Sequence, residues 1–205
     1  MILPEPMLLS EPKVSPLGRP GWIYEVKYDG YRMMAGIVDA SAQLRSRGGA
    51  DYSRAFPEVV SALASIPGGP HILDGEIVVL DEHGHSDFTK LQDRARRRTF
   101  REGDPPAVFM AFDLLALDGA PLNSEPVERR KGLLRALIPE DSPALHYVEH
   151  LPAEHGRSLY AQAAALRIEG LVAKRLGSPY MPGERSADWV KVKVPGVIPP
   201  ERFKR

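Results

Sequence analysis

A single lysine lies between two acidic residues in the stretch EVKYDGYR, residues 25–32. Alternation along the predicted strand places Glu25 and Lys27 on one face, and Arg32 lies just beyond the following turn. A lysine amine has a reference pKa of about 10.4, and nearby positive charge favours its uncharged, nucleophilic form. On its own, a lysine in a strand is most often a solvated surface charge. The stretch therefore allows two interpretations of Lys27, a surface charge or a nucleophile.

Further charged residues recur near the ends of predicted strands, in the stretches LRSRGG, LDGE, IEG and WVKVK. Asp74 and Glu76 are unusual because they lie inside the apolar run ILDGEIVVL, where a buried carboxylate is costly without a cation. Lysine and arginine suit phosphate oxygens, whereas carboxylates in the absence of cysteine suit a hard cation such as magnesium. The pattern predicts a groove lined by both signs of charge, formed by Lys27, Arg32, Arg45, Arg47, Glu76, Glu169, Lys191 and Lys193.

The composition excludes several other kinds of chemistry. The 205 residues include no cysteine, which rules out thiol catalysis, disulfides and zinc-thiolate sites. Lysine plus arginine equals aspartate plus glutamate at 27 each, so only a local basic stripe could bind a polyanion. No apolar run approaches the ~20 residues that span a bilayer, and the proline-broken N-terminus lacks a basic leader. We therefore expect no membrane association and a cytoplasmic protein.

Residues 1–20 are rich in proline and are predicted to be an irregular segment. Between residues 21 and 196, strand-like runs outnumber helical ones, and many neighbouring strands are joined by hairpin-like turns such as Asp29-Gly30. Helical spacing occurs in FPEVVSALASI, DFTKLQDRARRR, EPVERRKGLLRALI and GRSLYAQAAALR. The predicted fold class is α+β with largely antiparallel sheets, followed by a tail at 197–205.

The series of motifs resembles the covalent nucleotidyltransferases, which comprise ATP-dependent DNA ligases, RNA ligases and mRNA capping enzymes. EVKYDGYR is similar to their lysine motif, K-x-D-G-x-R. The remaining motifs follow in family order as LRSRGGADYS, ILDGEIVVLD, VFMAFDLLALDG, IEGLVAKR and DWVKVK. FDLL, EGLVAKR and SRGGADYS look most like ATP-dependent DNA ligases, in particular the ligase domains of bacterial end-joining enzymes. The resemblance implies an ATP-grasp-like nucleotidyltransferase (adenylation) domain with two sheets and flanking helices.

The resemblance also implies a role for each motif residue. Lys27 would attack the α-phosphorus of ATP, expel pyrophosphate and hold AMP through a phosphoramidate bond. Glu25 would contact the adenine amino group, and Phe112 would stack on the adenine ring, although a phenylalanine at such a position in AVFMAFDLL is more often a core residue. Arg32 would contact the ribose or phosphate side, and Arg47 would meet the ribose and phosphates.

The later motifs would hold the metal and the phosphates. Glu76 would serve the ribose or a metal ion, Mg²⁺ or Mn²⁺, and Glu169 would help to hold that metal. Lys191 and Lys193 would neutralise charge on the α-phosphate, and Arg185 matches a further family arginine. The implied reaction is transfer of AMP from ATP to the 5′-phosphate of nicked or broken duplex DNA, followed by joining to a 3′-hydroxyl.

Two other functions remain open from the sequence. RNA ligation or GTP-dependent capping uses the same fold, and a nucleotide- or DNA-binding module would keep the fold without reacting. Family ligases continue after the lysine pair into an OB-fold domain, which is absent from this chain. We therefore expect either a fragment or a free-standing domain, acting as a monomer, with the OB-fold domain or end-joining and repair proteins as partners.

Two charged stretches are not explained by the resemblance. RARRR, residues 94–98, is typical of a solvated helix end, but it could equally face nucleic acid. DEHGH contains His83 and His85, which invite a metal-site interpretation, although the surrounding acidic and glycine residues favour a hairpin tip.

Overall fold

The computed structural model describes residues 1–197 and confirms an α+β fold with two mostly antiparallel sheets. The tail predicted at 197–205 lies outside the described residues except for Val197. Four α-helices and one 3₁₀ turn accompany eleven strands in the described part of the chain. The strands are β1 (Leu8–Ser10), β2 (Trp22–Val26), β3 (Tyr31–Val38), β4 (Ser41–Ser46), β5 (His71–Val78), β6 (Val108–Leu117), β7 (Ala120–Pro121), β8 (Leu145–Tyr147), β9 (His150–Pro152), β10 (Gly170–Arg175) and β11 (Arg185–Lys193). The helices are α1 (Pro57–Ala64), α2 (Phe88–Arg97), α3 (Val127–Leu137) and α4 (Gly156–Ala165), and the 3₁₀ turn is Ala153–His155.

The smaller sheet has the strand order β1-β11-β10-β2-β9. Its central strands are antiparallel, with Val172 of β10 opposite both Glu25 of β2 and Lys191 of β11. Because side chains alternate along a strand, these three residues lie on one face. The opposite face is apolar and packs against α4, through residues such as Leu171, Val190 and Ala163. The charged face of this sheet is therefore free to line a site.

The larger sheet has the strand order β4-β3-β5-β6-β7, with β8 added parallel to β6. Arg32 of β3 lies opposite Glu76 of β5, which lies opposite Met110 of β6. The other face carries the main hydrophobic core, which includes residues of α1, α2 and α3. A second cluster joins Met34 and Leu115 of this sheet to Trp189 of the smaller sheet. The two charged faces thus meet between the sheets, with helices outside both.

The N-terminal segment differs from its prediction as an irregular stretch. Residues 8–10 form β1, which pairs parallel with β11 and so adds an edge strand to the smaller sheet. A run of three residues flanked by prolines is too short to give a recognisable strand pattern, and its conformation depends on the partner strand. The division into a segment 1–20 and a domain 21–196 stays a prediction. Within residues 1–197, no helix has both the length and the apolar character required to cross a bilayer.

Candidate active site

Lys27 lies one residue beyond β2, where the strand still pairs with β10. Its backbone N–H donates to the carbonyl oxygen of Gly170 at 2.9 Å, which places Lys27 beside Glu169. The amine Nζ is 2.5 Å from Glu169 Oε2, and the two side chains are 21% and 9% exposed. Antiparallel pairing therefore brings together two residues that are 142 positions apart in sequence.

Two glycines in the motifs allow the backbone to approach closely at this point. A Cβ on Gly30 would lie 2.1 Å from the carbonyl oxygen of Ile77, so only glycine fits after Asp29. Gly170 has a φ of +149°, and a Cβ there would lie 2.2 Å from the carbonyl oxygen of Val192. A larger residue at Gly30 would collide with β5, and one at Gly170 would collide with β11, so either change would displace a segment next to Lys27 or Glu169.

Lys27 lies where two cavities meet. The inner cavity, about 70 Å³, is a narrow slot between the two sheets. The outer cavity, about 330 Å³, opens towards the loop before α2. Both are lined by Val26, Lys27 and Tyr28. The inner cavity is further lined by Leu9, Glu25, Arg32, Glu76, Phe112, Val172, Lys174 and Trp189, and the outer by Asp29, Gly84, His85, Ser86, Thr89, Arg167, Ile168, Glu169 and Val197.

Glu25 is buried at the floor of the inner cavity and interacts with two lysines. Lys131 Nζ lies 2.7 Å from its Oε1, and Lys174 Nζ lies 2.9 Å from its Oε2. Lys174 also donates to the carbonyl oxygen of Phe112 at 3.0 Å, and burial lowers the pKa of Lys174. One carboxylate thus compensates two buried ammonium groups. Sequence reasoning did not identify either lysine, because nothing in KGLL or VAKR distinguishes a buried lysine from a solvated one.

Arg32 is held by Asp74 in a two-point interaction. Its Nε and Nη2 donate to the two carboxylate oxygens of Asp74 at 3.0 and 2.6 Å. Tyr180 donates to the same carboxylate at 2.6 Å, and the Arg32 guanidinium lies 5.3 Å from the Phe112 ring centroid. Asp74, one of the two carboxylates in ILDGEIVVL, therefore has Arg32 as its counter-ion. This pairing fixes Arg32 at the wall of the inner cavity, next to Phe112.

Glu76 lines the inner cavity and has a pKa well above the ordinary value for a glutamate. Burial raises its pKa to about 8, against the opposing effects of Lys27 and Arg32. In the unliganded protein, Glu76 therefore retains its proton through neutral pH, whereas in the unfolded chain it ionises near pH 4.5. The folded state binds the extra proton between these two values, so this group reduces stability as pH rises from about 4.5 to about 8.

Glu76→Gln should remove the loss of folding stability that Glu76 causes as pH rises. Glutamine cannot ionise, so we expect the variant to gain about 1–2 kcal/mol of unfolding free energy over wild type near pH 8, and little near pH 5, after allowing for partial exposure. Urea unfolding at the two pH values measures this difference. Glu82→Gln is the control, because Glu82 is 88% exposed. An equal effect of Glu76→Gln at both pH values would contradict the raised pKa.

Lys191 and Lys193 lie on the charged face of β11 and share one counter-ion. Glu11 Oε1 lies 3.0 Å from Lys191 Nζ and 3.1 Å from Lys193 Nζ. These two ammonium groups lower the pKa of Glu11 to about 2. Glu11 follows β1 and belongs to the segment predicted to be irregular. This segment therefore supplies a carboxylate oxygen between the ammonium groups of Lys191 and Lys193. Neither lysine lines the cavities around Lys27.

The structure places the other two predicted residues away from Lys27. Arg47 is exposed and lines a separate cavity with Pro6 and Met34. Arg185 is exposed at the start of β11, where Nη1 donates to the carbonyl oxygen of Leu9. Their roles towards a nucleotide stay predictions.

The carboxylates near Lys27 suit a metal ion whose coordination shell is completed by oxygen atoms of the substrate. No group of three or more His, Cys, Asp or Glu side chains positioned for a metal occurs among residues 1–197. Magnesium usually keeps several waters and binds through one or two carboxylates plus phosphates. Glu76 and Glu169 flank Lys27 on the inner and outer sides and match that donor set.

Trp189 adds an unpaired donor to the inner cavity. It is 1% exposed, and its Nε1 is the one buried side-chain nitrogen or oxygen without a hydrogen-bond partner in the described part of the chain. Lys174 Nζ lies 4.1 Å from its ring. Buried donors are nearly always paired, so the orphaned indole N–H of this cavity-lining residue is a candidate donor to a ligand.

Comparisons with known proteins agree with this geometry. The profile described as ATP dependent DNA ligase domain matches residues 6–193. The multifunctional non-homologous end joining protein LigD of Pseudomonas aeruginosa is 40% identical over 174 residues, which is 84% of this chain and 20% of that protein. The Mycobacterium tuberculosis LigD is 36% identical over 188 residues, 92% of this chain and 24% of that protein. The chain thus spans about a quarter or less of these two relatives.

A solved structure gives the same assignment. A mycobacterial DNA ligase D complexed with ATP and MES superimposes with a TM-score of 0.79 at 35% identity, covering 93% of this chain and 60% of that one. The matched region contains every motif from Lys27, just after β2, to the lysine pair of β11. The chain therefore belongs to the ATP-dependent DNA ligase domain family.

Proposed function

We propose that this chain forms a covalent lysyl-AMP on Lys27 and passes the AMP to a 5′-phosphate at a DNA break. One observation carries the proposal: the Lys27 amine lies where the inner and outer cavities meet, in contact with Glu169. A nucleoside in the inner cavity would have its phosphates beside that amine. A DNA end could then approach from the outer cavity.

The proposed chemistry proceeds in three displacements. Lys27 Nζ gives up a proton, for which Glu169 Oε2 at 2.5 Å is the acceptor in contact, and attacks the α-phosphorus. A nitrogen–phosphorus bond forms and the bond to pyrophosphate breaks. An oxygen of the 5′-phosphate then attacks the same phosphorus and releases the amine, and the 3′-hydroxyl finally displaces AMP. The protein contributes one nucleophile, and the remaining acceleration comes from positioning and charge.

We infer that the inner cavity takes the adenine. Phe112 supplies an aromatic face, and Trp189 Nε1 supplies a donor that has no protein partner. Glu25 already accepts from two lysines, so an adenine amino group would share its oxygens with Lys131 and Lys174.

Glu76 and Glu169 are the residues proposed to hold Mg²⁺ or Mn²⁺ together with the phosphates of ATP. When bound, the metal would neutralise charge on the phosphates. Binding requires Glu76 to lose the proton that burial retains. We therefore expect metal binding to lower the fraction of Glu76 that is protonated.

Labelling with α-labelled ATP or GTP separates this function from its alternatives. We expect stable label from ATP, transfer of AMP to the 5′-phosphate of a nicked DNA duplex, and sealing. Label from GTP alone would select a capping-type enzyme, and sealing of RNA alone would select an RNA ligase. Binding of nicked DNA without covalent label would identify a non-catalytic module.

Glu11→Gln tests the proposed phosphate role of Lys191 and Lys193. The Glu11 carboxylate occupies the position of an anionic oxygen between the two amines, so a triphosphate must displace it. Because exposed ion pairs are weak, we expect the variant to bind ATP about two- to five-fold more tightly. Equilibrium ATP binding measures this, with the exposed Glu184→Gln as control. Unchanged or weaker binding by Glu11→Gln would contradict the role.

We further propose that the chain acts as a cytoplasmic monomer on nicked or broken duplex DNA, with an OB-fold domain or end-joining and repair proteins as partners. The support is the family match and the names of the two relatives, which are end-joining proteins.

A further inference from the structure

The basic run at the end of α2 divides into two kinds of arginine. Arg94 is 1% exposed and its guanidinium donates to the carbonyl oxygen of Ala55 at 2.6 Å and to Glu58 at 2.5 Å. Arg97 donates to Asp104 at 2.5 Å. These two side chains fasten α2 to the loops around it. Their charges are compensated and their function is structural.

The other two arginines of the run, Arg96 and Arg98, and Arg101 just beyond it are exposed and have no acidic partner within ion-pair distance in the described chain. Arg96 and Arg101 line one cavity beyond α2, and we call these two, together with Arg98 at the end of the helix, the arginine cluster. Arg98 ends α2 in the left-handed conformation and lies 5.3 Å from the ring of Tyr52. Elsewhere, exposed arginines such as Arg129 on α3 pair with neighbouring carboxylates. Other exposed arginines, such as Arg19, also have no ion pair among residues 1–197, but the end of α2 brings three such arginines within six positions of the sequence, in a chain whose net charge is zero.

Helix α2 runs from the outer cavity, which Lys27 also lines, to the arginine cluster. Thr89, in the first turn of α2, lines the outer cavity together with Lys27. Thr89, Asp93 and Arg96 follow helical spacing on one exposed face. Seven residues of helix advance ~10 Å, and one DNA strand advances ~3.4 Å per phosphate. The cluster therefore begins about three phosphates from the outer cavity, measured along α2.

We propose that the arginine cluster binds the phosphate backbone of duplex DNA beside the break whose 5′-phosphate enters the outer cavity. This inference rests on the proposed function, because it takes DNA to be the substrate. Arginine suits phosphate through its planar set of donors, and contacts of this kind hold the duplex in register without reading its sequence.

A triple variant, Arg96→Gln with Arg98→Gln and Arg101→Gln, tests the proposal on the full chain. Binding to nicked duplex DNA is measured over a range of salt concentrations, and lysyl-AMP formation is measured in parallel. Each lost phosphate contact reduces the salt slope by about 0.9. We expect the slope to fall by about 2–3 and affinity to fall about 10- to 100-fold near 0.15 M salt, with lysyl-AMP formation unchanged.

The matched control removes the same charge by changing Lys13, Arg19 and Arg157 to Gln, because these residues are exposed, lie outside α2 and have no ion pair among residues 1–197. An unchanged slope in the triple variant, or an equal loss in the control, overturns the proposal. Arg101→Gln alone, whose side chain makes no hydrogen bond or ion pair within residues 1–197, should lower the slope by about 1, so the test survives if the triple variant unfolds. If wild type forms no lysyl-AMP, the proposed function fails, whereas the binding comparison still decides the DNA contact.

Discussion

Lys27→Ala is expected to abolish covalent AMP, with a fall of more than about 1000-fold in the rate of label incorporation from ATP. The reason is that this amine is the atom that bonds to phosphorus, and the other cations near it cannot replace a nucleophile at that position. The fold should remain intact, because the Lys27 side chain is 21% exposed and its hydrogen bond is to Glu169, which is also at the site. Gel labelling and a thermal melt measure the two effects.

Lys27→Arg is the matched control for charge. It retains a cation for Glu169 but cannot act as the nucleophile, since arginine stays protonated. We expect Lys27→Arg to be as inactive as Lys27→Ala. Label on either variant at a rate near wild type would show that another residue is the nucleophile.

Glu25→Ala is expected to destabilise the fold by about 3–5 kcal/mol, the largest stability effect of any change at the site. Removing this carboxylate leaves Lys131 and Lys174 buried without their counter-ion, and an uncompensated buried charge is strongly unfavourable. Chemical unfolding monitored by circular dichroism measures the loss.

Glu125→Ala is the control for Glu25→Ala. Glu125 pairs with Arg129 at the surface, where the arginine is 66% exposed, so its loss should cost about 0–1 kcal/mol. Similar stabilities of Glu25→Ala and Glu125→Ala would mean that the two buried lysines do not depend on Glu25. Lys131→Met in the Glu25→Ala background should recover part of the loss, because it removes one of the buried charges.

The sequence predicted the fold class and most long elements because their signals are local. Alternation along β3 and β5 and helical spacing in α1 and α3 were sufficient. β1 was missed because its three residues gain their conformation from pairing with β11. The contact between Lys27 and Glu169 depends on the register of β2 against β10, which periodicity alone does not determine.

Site residues could be predicted from the sequence where the residue type in its local context indicates the chemistry. Both carboxylates inside ILDGEIVVL were recognised as costly, and the structure gives each a reason: Asp74 pairs with Arg32, and Glu76 keeps a raised pKa. Lys174 and Glu11 could not be found from the sequence, because a partner's identity follows from tertiary packing. The same holds for the basic run, because only the three-dimensional structure shows which of its arginines pair with carboxylates and which do not.

Peptide mapping of the chain after incubation with ATP and magnesium tests the central claim most directly. Intact mass first shows whether one adenylyl group has been added, and fragmentation then locates it. The account predicts a single AMP on the peptide that contains EVKYDGYR, bonded to Lys27, and its loss on addition of nicked DNA. An unmodified protein, or AMP bonded to a different lysine, would contradict it.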